Sequence, residues 1–434
     1  MRSPLARSAA PATLLLALAT APLAQPASTP TYSKDVAPIL NKNCAGCHRP
    51  GDIAPMSLLT YDDARPWAKA IRSAVALGKM PPWHAMEPRG TFSNDRRLTD
   101  QEKETLIAWA DGGSPQGNPK DLPPAPTFVD GWNIGQPDAV VSMVKPFDVP
   151  ASGTIDYQYF QMPTNFTEDK WVQAIEVKPG VRGVVHHILV FSKEPDGTPL
   201  PSAFTTVVPK PPAPKEGQKP FDSNAALART RGVLIATTAP GTNAMTFQSG
   251  AAMLIKAGSV LTFQVHYTAN GTATNDVSSV GFIFAKEPPQ HEVRNSAFIN
   301  ATFVLEPGEA NKEVDSAIEF NHDSHITALF PHTHLRGKSW EYRLVYPDGR
   351  SEVVLSVPKY DFNWQTYYVF TTPLAVPKGS RLEATAHYDN SLNNPSNPDP
   401  KVAVHWGEQT WQEMQYSGIT FTLDEEPRQT TAQK

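Results

Sequence analysis

The sequence predicts a mainly β protein that is preceded by a small all-α region. Apolar residues recur at helical spacing up to residue 113, and after residue 132 their period changes to two, as in strands. The residues between these patterns, 114–132, form a linker that is rich in proline. Proline makes up 43 of the 434 residues, and turn-rich β folds tolerate this better than helical folds do.

Residues 1–24 have the pattern of a secretory signal peptide. Arg2 and Arg7 precede an apolar run, and small residues follow up to Ala24. The apolar run is shorter than the roughly 20 residues that a bilayer-spanning helix needs, and no later segment is long and apolar enough either. We therefore expect an exported protein without a stable membrane span.

The region that follows the signal peptide is predicted to contain three helices, at 34–41, at 63–77 and after residue 99. Pro66 falls in the first turn of the second helix, where its missing N–H breaks no helical hydrogen bond. Thr99 and Glu102 have the spacing of a capping box, which predicts the start of the third helix.

The motif Cys44-Ala45-Gly46-Cys47-His48 holds the only two cysteines of the chain. C-x-x-C-H is the attachment pattern of a c-type haem, in which both thiols form thioethers and the histidine ligates the iron. Zinc would require four ligands, and no second cysteine pair exists to supply them. One covalent haem c is therefore expected, and a redox-active C-x-x-C pair followed by a chance histidine is the alternative. Three helices around a haem are typical of a small cytochrome c domain, which would cover residues 30–113.

Met80, in Gly78-Lys79-Met80-Pro81-Pro82, is predicted to be the sixth ligand of the haem iron. A thioether opposite a histidine suits electron transfer, and the Pro-rich backbone would hold the sulfur rigidly. The alternatives are Met56, His84 or no residue at all. Bacteria attach this haem outside the cytoplasm, so export implies a periplasmic protein.

Residues 133–425 are predicted to be all β. Alternating or β-branched segments occur at 171–177, 184–191, 261–267, 341–346, 351–357 and 381–387. Pro347-Asp348-Gly349 is a hairpin turn signal between two of these segments. The pattern favours sandwiches of Greek-key type, and a length of roughly 300 residues favours two of them over one. An exposed Pro/Lys-rich loop is predicted at 209–219 and a disordered tail at 426–434.

The formal net charge is −5, from 38 Lys and Arg against 43 Asp and Glu. No basic patch or Arg-aromatic repeat occurs, so nucleic acid is not an expected partner. The histidines of the β region are the residues that indicate further chemistry.

Three histidine motifs lie on segments that are predicted to be strands. His332-Thr333-His334 would place two imidazoles on one face, because side chains i and i+2 of a strand share a face, and this makes a two-point metal chelate. His186 and His187 are adjacent and would point to opposite faces, so joint ligation requires a twist or a bulge. His266 alternates with apolar neighbours, which is more often the pattern of a buried structural histidine.

Four motifs occur in order along the chain: His186-His187-Ile188-Leu189-Val190, Gln264-Val265-His266-Tyr267, His332-Thr333-His334-Leu335-Arg336-Gly337-Lys338 and Glu413-Met414. In this respect the chain resembles the copper type II, ascorbate-dependent monooxygenases, the family of dopamine β-monooxygenase and peptidylglycine α-hydroxylating monooxygenase. The resemblance covers residues 133–422, and the sequence between the motifs is divergent.

The resemblance implies two copper ions per chain. In the family, a copper held by three histidines stores and passes an electron, and a copper held by two histidines and a methionine binds oxygen and attacks a C–H bond. Imidazole suits copper, and a weak thioether ligand leaves a position open for oxygen. The implied fold is two tandem, jelly-roll-like β-sandwiches, at 133–286 and 287–425, with one copper on each. The matching residues are His186, His187 and His266 for the first copper, and His332, His334 and Met414 for the second.

The chain departs from the family pattern in ways that bear on the substrate. Animal members have several disulfides in this region, and this chain has no cysteine there. In the peptide-amidating branch an arginine two residues before the His-x-His motif binds the substrate carboxylate, and that position here is Phe330. The asparagine and tyrosine that follow the ligand methionine in that branch correspond to Tyr416 and Gly418. A peptide C-terminus is therefore not the expected substrate, and an apolar or aromatic site is.

The leading hypothesis is a periplasmic copper-dependent monooxygenase that hydroxylates a C–H bond of a small organic substrate with O₂. Its electrons would pass through the covalent haem, from a periplasmic donor that is ascorbate-like or a cytochrome. The alternative is a non-catalytic periplasmic protein that binds copper and transfers electrons, because ligands alone do not establish C–H chemistry. A haem protein whose β region only binds a partner is a third hypothesis.

Overall fold

The structure is a computed structural model that describes residues 29–129, 131–195, 204–207, 232–239 and 244–425. The predicted signal peptide, the predicted loop at 209–219 and the predicted tail lie outside the described residues. The described chain is mainly β, with several sheets and a small helical region at its N-terminal end, as the sequence predicts. Within the described ranges, no helix combines the length and the apolar character that crossing a bilayer requires.

The helical region consists of short helices of three types. The α-helices are α1 (Ala37–Asn43), α2 (Tyr61–Ala64), α3 (Ala68–Ala76) and α4 (Asp100–Asp111). A π-helix covers Tyr32–Val36, and 3₁₀ turns cover Arg65–Trp67 and Pro119–Asp121.

The predicted capping box is confirmed, and the predicted second helix is not continuous. At the start of α4 the Thr99 hydroxyl accepts a hydrogen bond from the Glu102 N–H at 3.1 Å, and the Glu102 carboxylate accepts one from the Thr99 N–H at 2.7 Å. The helix predicted over 63–77 is interrupted by the 3₁₀ turn that contains Pro66, so α2 and α3 are separate. Proline has no N–H to donate to the preceding turn, which is why a tighter turn is accommodated there.

Residues 139–292 form two sheets, which we call the first sheet pair. The strands in this part of the chain are β1 (Ala139–Ser142), β2 (Phe147–Val149), β3 (Gln158–Pro163), β4 (Lys170–Lys178), β5 (Val185–Lys193), β6 (Phe204–Val207), β7 (Val233–Thr238), β8 (Met245–Thr246), β9 (Ala251–Ile255), β10 (Val260–Tyr267), β11 (Thr274–Asp276), β12 (Ser279–Phe284) and β13 (His291–Glu292). One sheet has the order β1-β12-β4-β9-β13, with β8 also paired to β4, and the other has the order β3-β10-β5-β7. The short strands β2 and β11 pair with each other.

Residues 294–423 form two further sheets, the second sheet pair. Its strands are β14 (Arg294–Ile299), β15 (Val304–Leu305), β16 (Lys312–Phe320), β17 (Ser324–His332), β18 (Gly337–Val345), β19 (Ser351–Val357), β20 (Tyr368–Val376), β21 (Arg381–Tyr388), β22 (Val404–His405) and β23 (Tyr416–Leu423). One sheet has the order β14-β23-β17-β20, the other has the order β19-β18-β21-β16-β6, and β15 pairs with β22. The predicted hairpin is present between β18 and β19, where the Tyr346 N–H donates to the Arg350 carbonyl at 2.8 Å.

Each sheet pair encloses its own hydrophobic core. In the first pair, Ile175 and Phe282 of one sheet share a buried cluster with Ile188 and Phe263 of the other sheet. The corresponding cluster of the second pair joins residues such as Phe421 of β23 to residues such as Trp340, Leu344 and Leu382 of the facing sheet. Two sheets with one apolar face each are stable only when those faces are buried against each other, which explains the layered arrangement.

Two segments, β6 and residues 83–98, connect different parts of the fold. Strand β6 belongs by sequence to the first sheet pair, but it adds to the edge of the second, antiparallel to β16. The segment 83–98 leaves the helical region and packs into the core of the second sheet pair. There the Trp83 and Tyr368 ring centroids lie 5.2 Å apart, and those of Phe92 and Phe370 lie 5.0 Å apart. Hydrophobic periodicity does not reveal this insertion, because the segment is irregular.

Candidate metal centre

The C-x-x-C-H motif lies at the C-terminal end of α1. Cys44 is the residue after the helix, and the His48 N–H donates to the Cys44 carbonyl at 2.9 Å. Neither thiol is in a disulfide, and burial raises the pKa of Cys44 to about 12 and that of Cys47 above its ordinary value. Two thiols and an imidazole within one turn fit the attachment of a haem.

Charges from two other parts of the chain act on Cys47. Burial is the main cause of its raised pKa, and the charges of Arg96 and Arg182 oppose that rise. Arg96 belongs to the inserted segment 83–98, and Arg182 belongs to the loop between β4 and β5. β5, which carries His186 and His187, begins three residues after Arg182.

The candidates for the sixth haem ligand occupy different surroundings. Burial lowers the pKa of His48, and a backbone hydrogen bond with Met56 opposes this, so Met56 is a neighbour of the motif histidine. Met80 is half-buried in the turn after α3, where its N–H donates to the Ala74 carbonyl at 3.3 Å. Burial also lowers the pKa of His84, and the opposing charge comes from Asp361 of the second sheet pair. Ligation by Met80 stays a prediction.

His186, His187 and His266 form the first histidine group. His266 on β10 pairs with His187 on β5, whereas Tyr267 pairs with Val185, so His186 is the extra residue of a β-bulge. The bulge lets adjacent histidines turn to one place, which a regular strand does not allow. Ring centroids within the group are 5.0 to 5.3 Å apart.

The nitrogen positions of the first group fit one metal ion. One ring nitrogen from each residue lies within 4.8 Å of the others, and the Nδ1 atoms of His186 and His187 are 3.1 Å apart. Ligand nitrogens on one ion lie no more than about 4 Å apart, because metal–nitrogen bonds are about 2 Å long. The Nδ1 atom of His266 is buried and has no hydrogen-bond partner among the described residues. A small movement of the rings would therefore complete a three-imidazole site.

Burial keeps the rings of the first group neutral. It lowers the pKa of His186 to about 4 and of His266 to about 3, and it lowers that of His187 well below the ordinary value. Mutual repulsion between the imidazolium charges lowers the pKa of His187 and His266 further. Neutral imidazole is the form that ligates metals, so the group is ready to bind at neutral pH.

His332 and His334 form the second histidine group, with ring centroids 5.3 Å apart. The prediction that both lie on one strand is wrong, because β17 ends at His332 and His334 lies in the turn before β18. The Nδ1 atom of His332 is 2.9 Å from the Gln365 Oε1 atom, and that of His334 is 3.1 Å from the Gln412 carbonyl oxygen. Oxygen acceptors require a donating Nδ1–H, so both Nε2 atoms carry the free lone pair.

Glu413 holds the turn that carries the second group. Its carboxylate accepts hydrogen bonds from the His334 N–H at 2.8 Å, from the Arg336 N–H at 2.7 Å and from the Thr333 hydroxyl at 2.9 Å. Burial raises the pKa of Glu413 to about 7, and these hydrogen bonds oppose the rise. Because Met414 follows directly in the chain, one carboxylate fixes both parts of the predicted two-histidine, one-methionine set.

Predicted ligands from both groups line one cavity of about 250 Å³. His187 of the first group lines it together with His332, His334 and Met414. The described lining contains one carboxylate, Glu408, and no lysine or arginine. Its other walls are mostly apolar or aromatic, among them Leu189, Phe191, Phe330, Tyr367, Trp406 and Tyr416.

Several residues of this centre are not predicted from the sequence. The sequence marks Glu413 only as the neighbour of Met414, and its role depends on backbone groups of the turn that carries His334. Phe362 and Gln365 lie in a turn-rich stretch that carries no motif, although both contact histidines of the two groups. Phe330 and Tyr416, predicted from the resemblance to make the site aromatic, do line the cavity.

Comparison with known proteins identifies no family. No family model and no curated protein matches the sequence. Among solved structures, the major capsid protein P2 from Bacteriophage PM2 is similar over 67% of this chain and 98% of that chain, with 10% identity and a TM-score of 0.29. Allantoicase from Saccharomyces cerevisiae is similar over 64% of this chain and 80% of that chain, with 8% identity and a TM-score of 0.17. Likenesses this weak carry no argument about function.

Proposed function

We propose that the protein is a copper-dependent monooxygenase that hydroxylates a C–H bond of a small organic substrate, R–H + O₂ + 2e⁻ + 2H⁺ → R–OH + H₂O. The observation that carries this proposal is the cavity on which His187 meets His332, His334 and Met414. A three-imidazole group on one side and two imidazoles with a thioether on the other are the two donor sets that the resemblance to the ascorbate-dependent monooxygenases implies.

The residues of the second group would hold and orient one copper, and those of the first group would hold the other. Copper at these positions would supply one-electron steps and an open position for O₂. Gln365 and the Gln412 carbonyl hold the rings of His332 and His334 with Nε2 available, which fixes the direction from which a metal is bound. Glu413 keeps the turn and Met414 together, so the ligand set does not have to be assembled on binding.

The substrate we propose has an apolar body and no carboxylate. The apolar walls of the cavity would bind such a body and exclude water from the reacting C–H bond. A carboxylate would find no cationic side chain to pair with, since the described lining contains Glu408 and no lysine or arginine. Burying an unpaired charge costs several kcal/mol in practice, which disfavours acids as substrates.

We also propose that the helical region is a cytochrome c domain whose haem, bound by Cys44, Cys47 and His48 with Met80 as sixth ligand, supplies electrons to the first copper. The effect of the Arg182 charge on the pKa of Cys47 supports this, because β5 begins three residues after Arg182 and carries His186. Asp361 gives further support, since its charge acts on both His84 of the inserted segment and His186. Covalent fusion keeps donor and acceptor at high effective concentration.

The domain organisation and location belong to the same proposal. We propose a cytochrome c domain at 30–113, a linker at 114–132 and two jelly-roll-like copper domains at 133–286 and 287–425. A signal peptide at 1–24 would export the chain to the bacterial periplasm, where a small-molecule or protein donor would reduce the haem.

Metal analysis combined with isotope incorporation tests the function. We expect two coppers and one haem per chain after reconstitution, and substrate-dependent O₂ uptake with one ¹⁸O atom from ¹⁸O₂ in the product. Apolar and aromatic compounds without a carboxylate form the substrate panel, and matched carboxylic acids form the control panel. Two coppers without oxygen incorporation from any compound would favour the non-catalytic electron-transfer protein.

The role of the haem is tested separately. We expect the variant Cys44→Ser/Cys47→Ser to bind two coppers but to lose turnover with a periplasmic donor. Chemical reduction of the coppers should restore one round of product formation. Unchanged steady-state turnover with the same donor would remove the haem from the electron path.

A further inference from the structure

One aromatic ring contacts both histidine groups. Phe362 is buried, with 7% of its surface exposed, and its ring stacks on that of His186 at a centroid distance of 5.4 Å and an angle of 16°. The same ring lies 6.4 Å from the rings of His187 and His266 and 6.0 Å from that of His334. These distances fall within the range in which aromatic rings interact, so Phe362 lies between the two groups.

The loop that presents Phe362 is fastened to the second group on both sides of the ring. Before it, the Tyr360 hydroxyl donates to the Thr333 carbonyl at 3.0 Å, within the His-x-His motif. After it, Gln365 accepts from the Nδ1–H of His332 at 2.9 Å. The loop is thus attached to the second group by hydrogen bonds on both sides of Phe362, whereas the ring of Phe362 packs on the first group.

We propose that Phe362 is the positioning residue that separates the two copper ions and the direct contact through which an electron passes from the first to the second. This inference rests on the proposed function, because it assumes a copper in each group. In the step, a copper held by the first group would be oxidised from Cu(I) to Cu(II) and a copper held by the second would be reduced from Cu(II) to Cu(I). One electron moves, and no proton or bond changes at Phe362.

A packed ring gives this path two physical properties. It excludes water from the volume that it fills beside the cavity, so an electron that passes through the ring crosses a fixed van der Waals contact rather than a mobile solvent layer. It also occupies the volume that the imidazoles would need in order to form one shared cluster. Removing the ring while keeping apolar bulk should therefore slow electron exchange without removing either metal.

The test compares Phe362→Leu with Phe362→Tyr in the full-length, haem-containing protein loaded with copper. A limiting pulse of reductant is given to the oxidised protein, and the redistribution of the electron between the coppers is followed by rapid-freeze electron paramagnetic resonance. We expect Phe362→Leu to lose exchange rate and Phe362→Tyr, which keeps the ring, to retain the wild-type rate. Both variants should keep two coppers with unchanged resting spectra, which shows that the ligand sets are intact.

The test distinguishes failure of the proposed function from failure of the inference about Phe362. If wild-type protein binds fewer than two coppers, the proposed function is wrong and this inference falls with it. If two coppers are bound and Phe362→Leu exchanges electrons at the wild-type rate, the function stands and Phe362 is only a packing residue. If Phe362→Leu loses a copper, Phe362→Tyr decides. Two coppers and the wild-type exchange rate in Phe362→Tyr would support a ring that holds the metals apart. A lost exchange rate in Phe362→Tyr with both coppers bound would overturn the inference.

Discussion

At the scale of single residues, Glu413 shows how a buried carboxylate can organise ligands without being one. Its two oxygens accept hydrogen bonds from two backbone N–H groups and a hydroxyl of the turn that carries His334, and Met414 is its neighbour in the chain. All of these partners are donors. The site therefore needs an acceptor at both carboxylate oxygens.

We expect Glu413→Gln to destabilise the fold by about 1–3 kcal/mol, because the amide NH₂ would face a backbone donor and leave it unsatisfied. It should also weaken copper binding at the second group. Urea unfolding of the copper-free protein measures the first effect, and copper titration measures the second. The matched control is Glu319→Gln on an exposed face of β16, where the change should stay within about 0.5 kcal/mol. Equal stability of the two variants would mean that Glu413 does not hold the turn.

Alanine substitutions in the two histidine groups should cause different defects. We expect His332→Ala to lose the second copper and product formation, while the haem and the first copper still undergo reduction. His187→Ala should keep the second copper but stall before product, because the second electron does not arrive. Copper counting and rapid-mixing spectroscopy of the reduced variants separate these outcomes. Loss of both coppers from either variant would indicate one shared cluster.

At the scale of elements, the bulge in β5 is the feature that converts a strand into a binding site. The sequence predicts the strand from its period and also predicts that adjacent histidines need an irregularity, and the structure has that irregularity at His186. Strands with alternating residues are well predicted because alternation reports burial on one face. Contacts between elements that are distant in sequence leave no such trace, which is why Phe362 and the insertion of segment 83–98 were not predicted.

The insertion of segment 83–98 has a measurable energetic consequence. Phe92 lies in the core of the second sheet pair, so we expect Phe92→Ala to destabilise the β region by about 3–5 kcal/mol. Met86, from the same segment, is 66% exposed, and Met86→Ala should change stability by no more than about 0.5 kcal/mol. Urea unfolding followed by the β signal in far-ultraviolet circular dichroism provides the comparison. A loss confined to the helical signal would contradict the packing described above.

At the scale of the whole molecule, the neutral buried histidines make stability depend on pH. In the folded, copper-free protein the pKa of His186 and of His332 is lowered to about 4 and that of His266 to about 3, mainly by burial. The unfolded chain takes up protons near the ordinary value of about 6.5 and therefore binds more protons than the folded chain below that pH. Stability should accordingly fall as the pH is lowered from 7 towards 4.

Unfolding midpoints of the copper-free protein at several pH values test this dependence. Carboxylates also contribute to the slope, so the informative comparison is between wild type and His266→Asn, which removes one depressed group. We expect a shallower slope for the variant. His405→Asn, at an exposed position, is the control and should keep the wild-type slope. Identical slopes for all three proteins would mean that His266 does not stay neutral in the fold.

The inserted segment also constrains the order in which the chain matures. Asn94 receives a hydrogen bond from the Val369 N–H, 275 residues further along the chain. Segment 83–98 cannot reach its final place until most of the polypeptide has emerged, and such long-range contacts form late in folding. The folded protein partly buries the Cys44 and Cys47 thiols, and during that interval they belong to a chain that has not yet folded completely. If a haem is attached to these thiols, as proposed, its attachment would be easiest in that window and would precede copper binding.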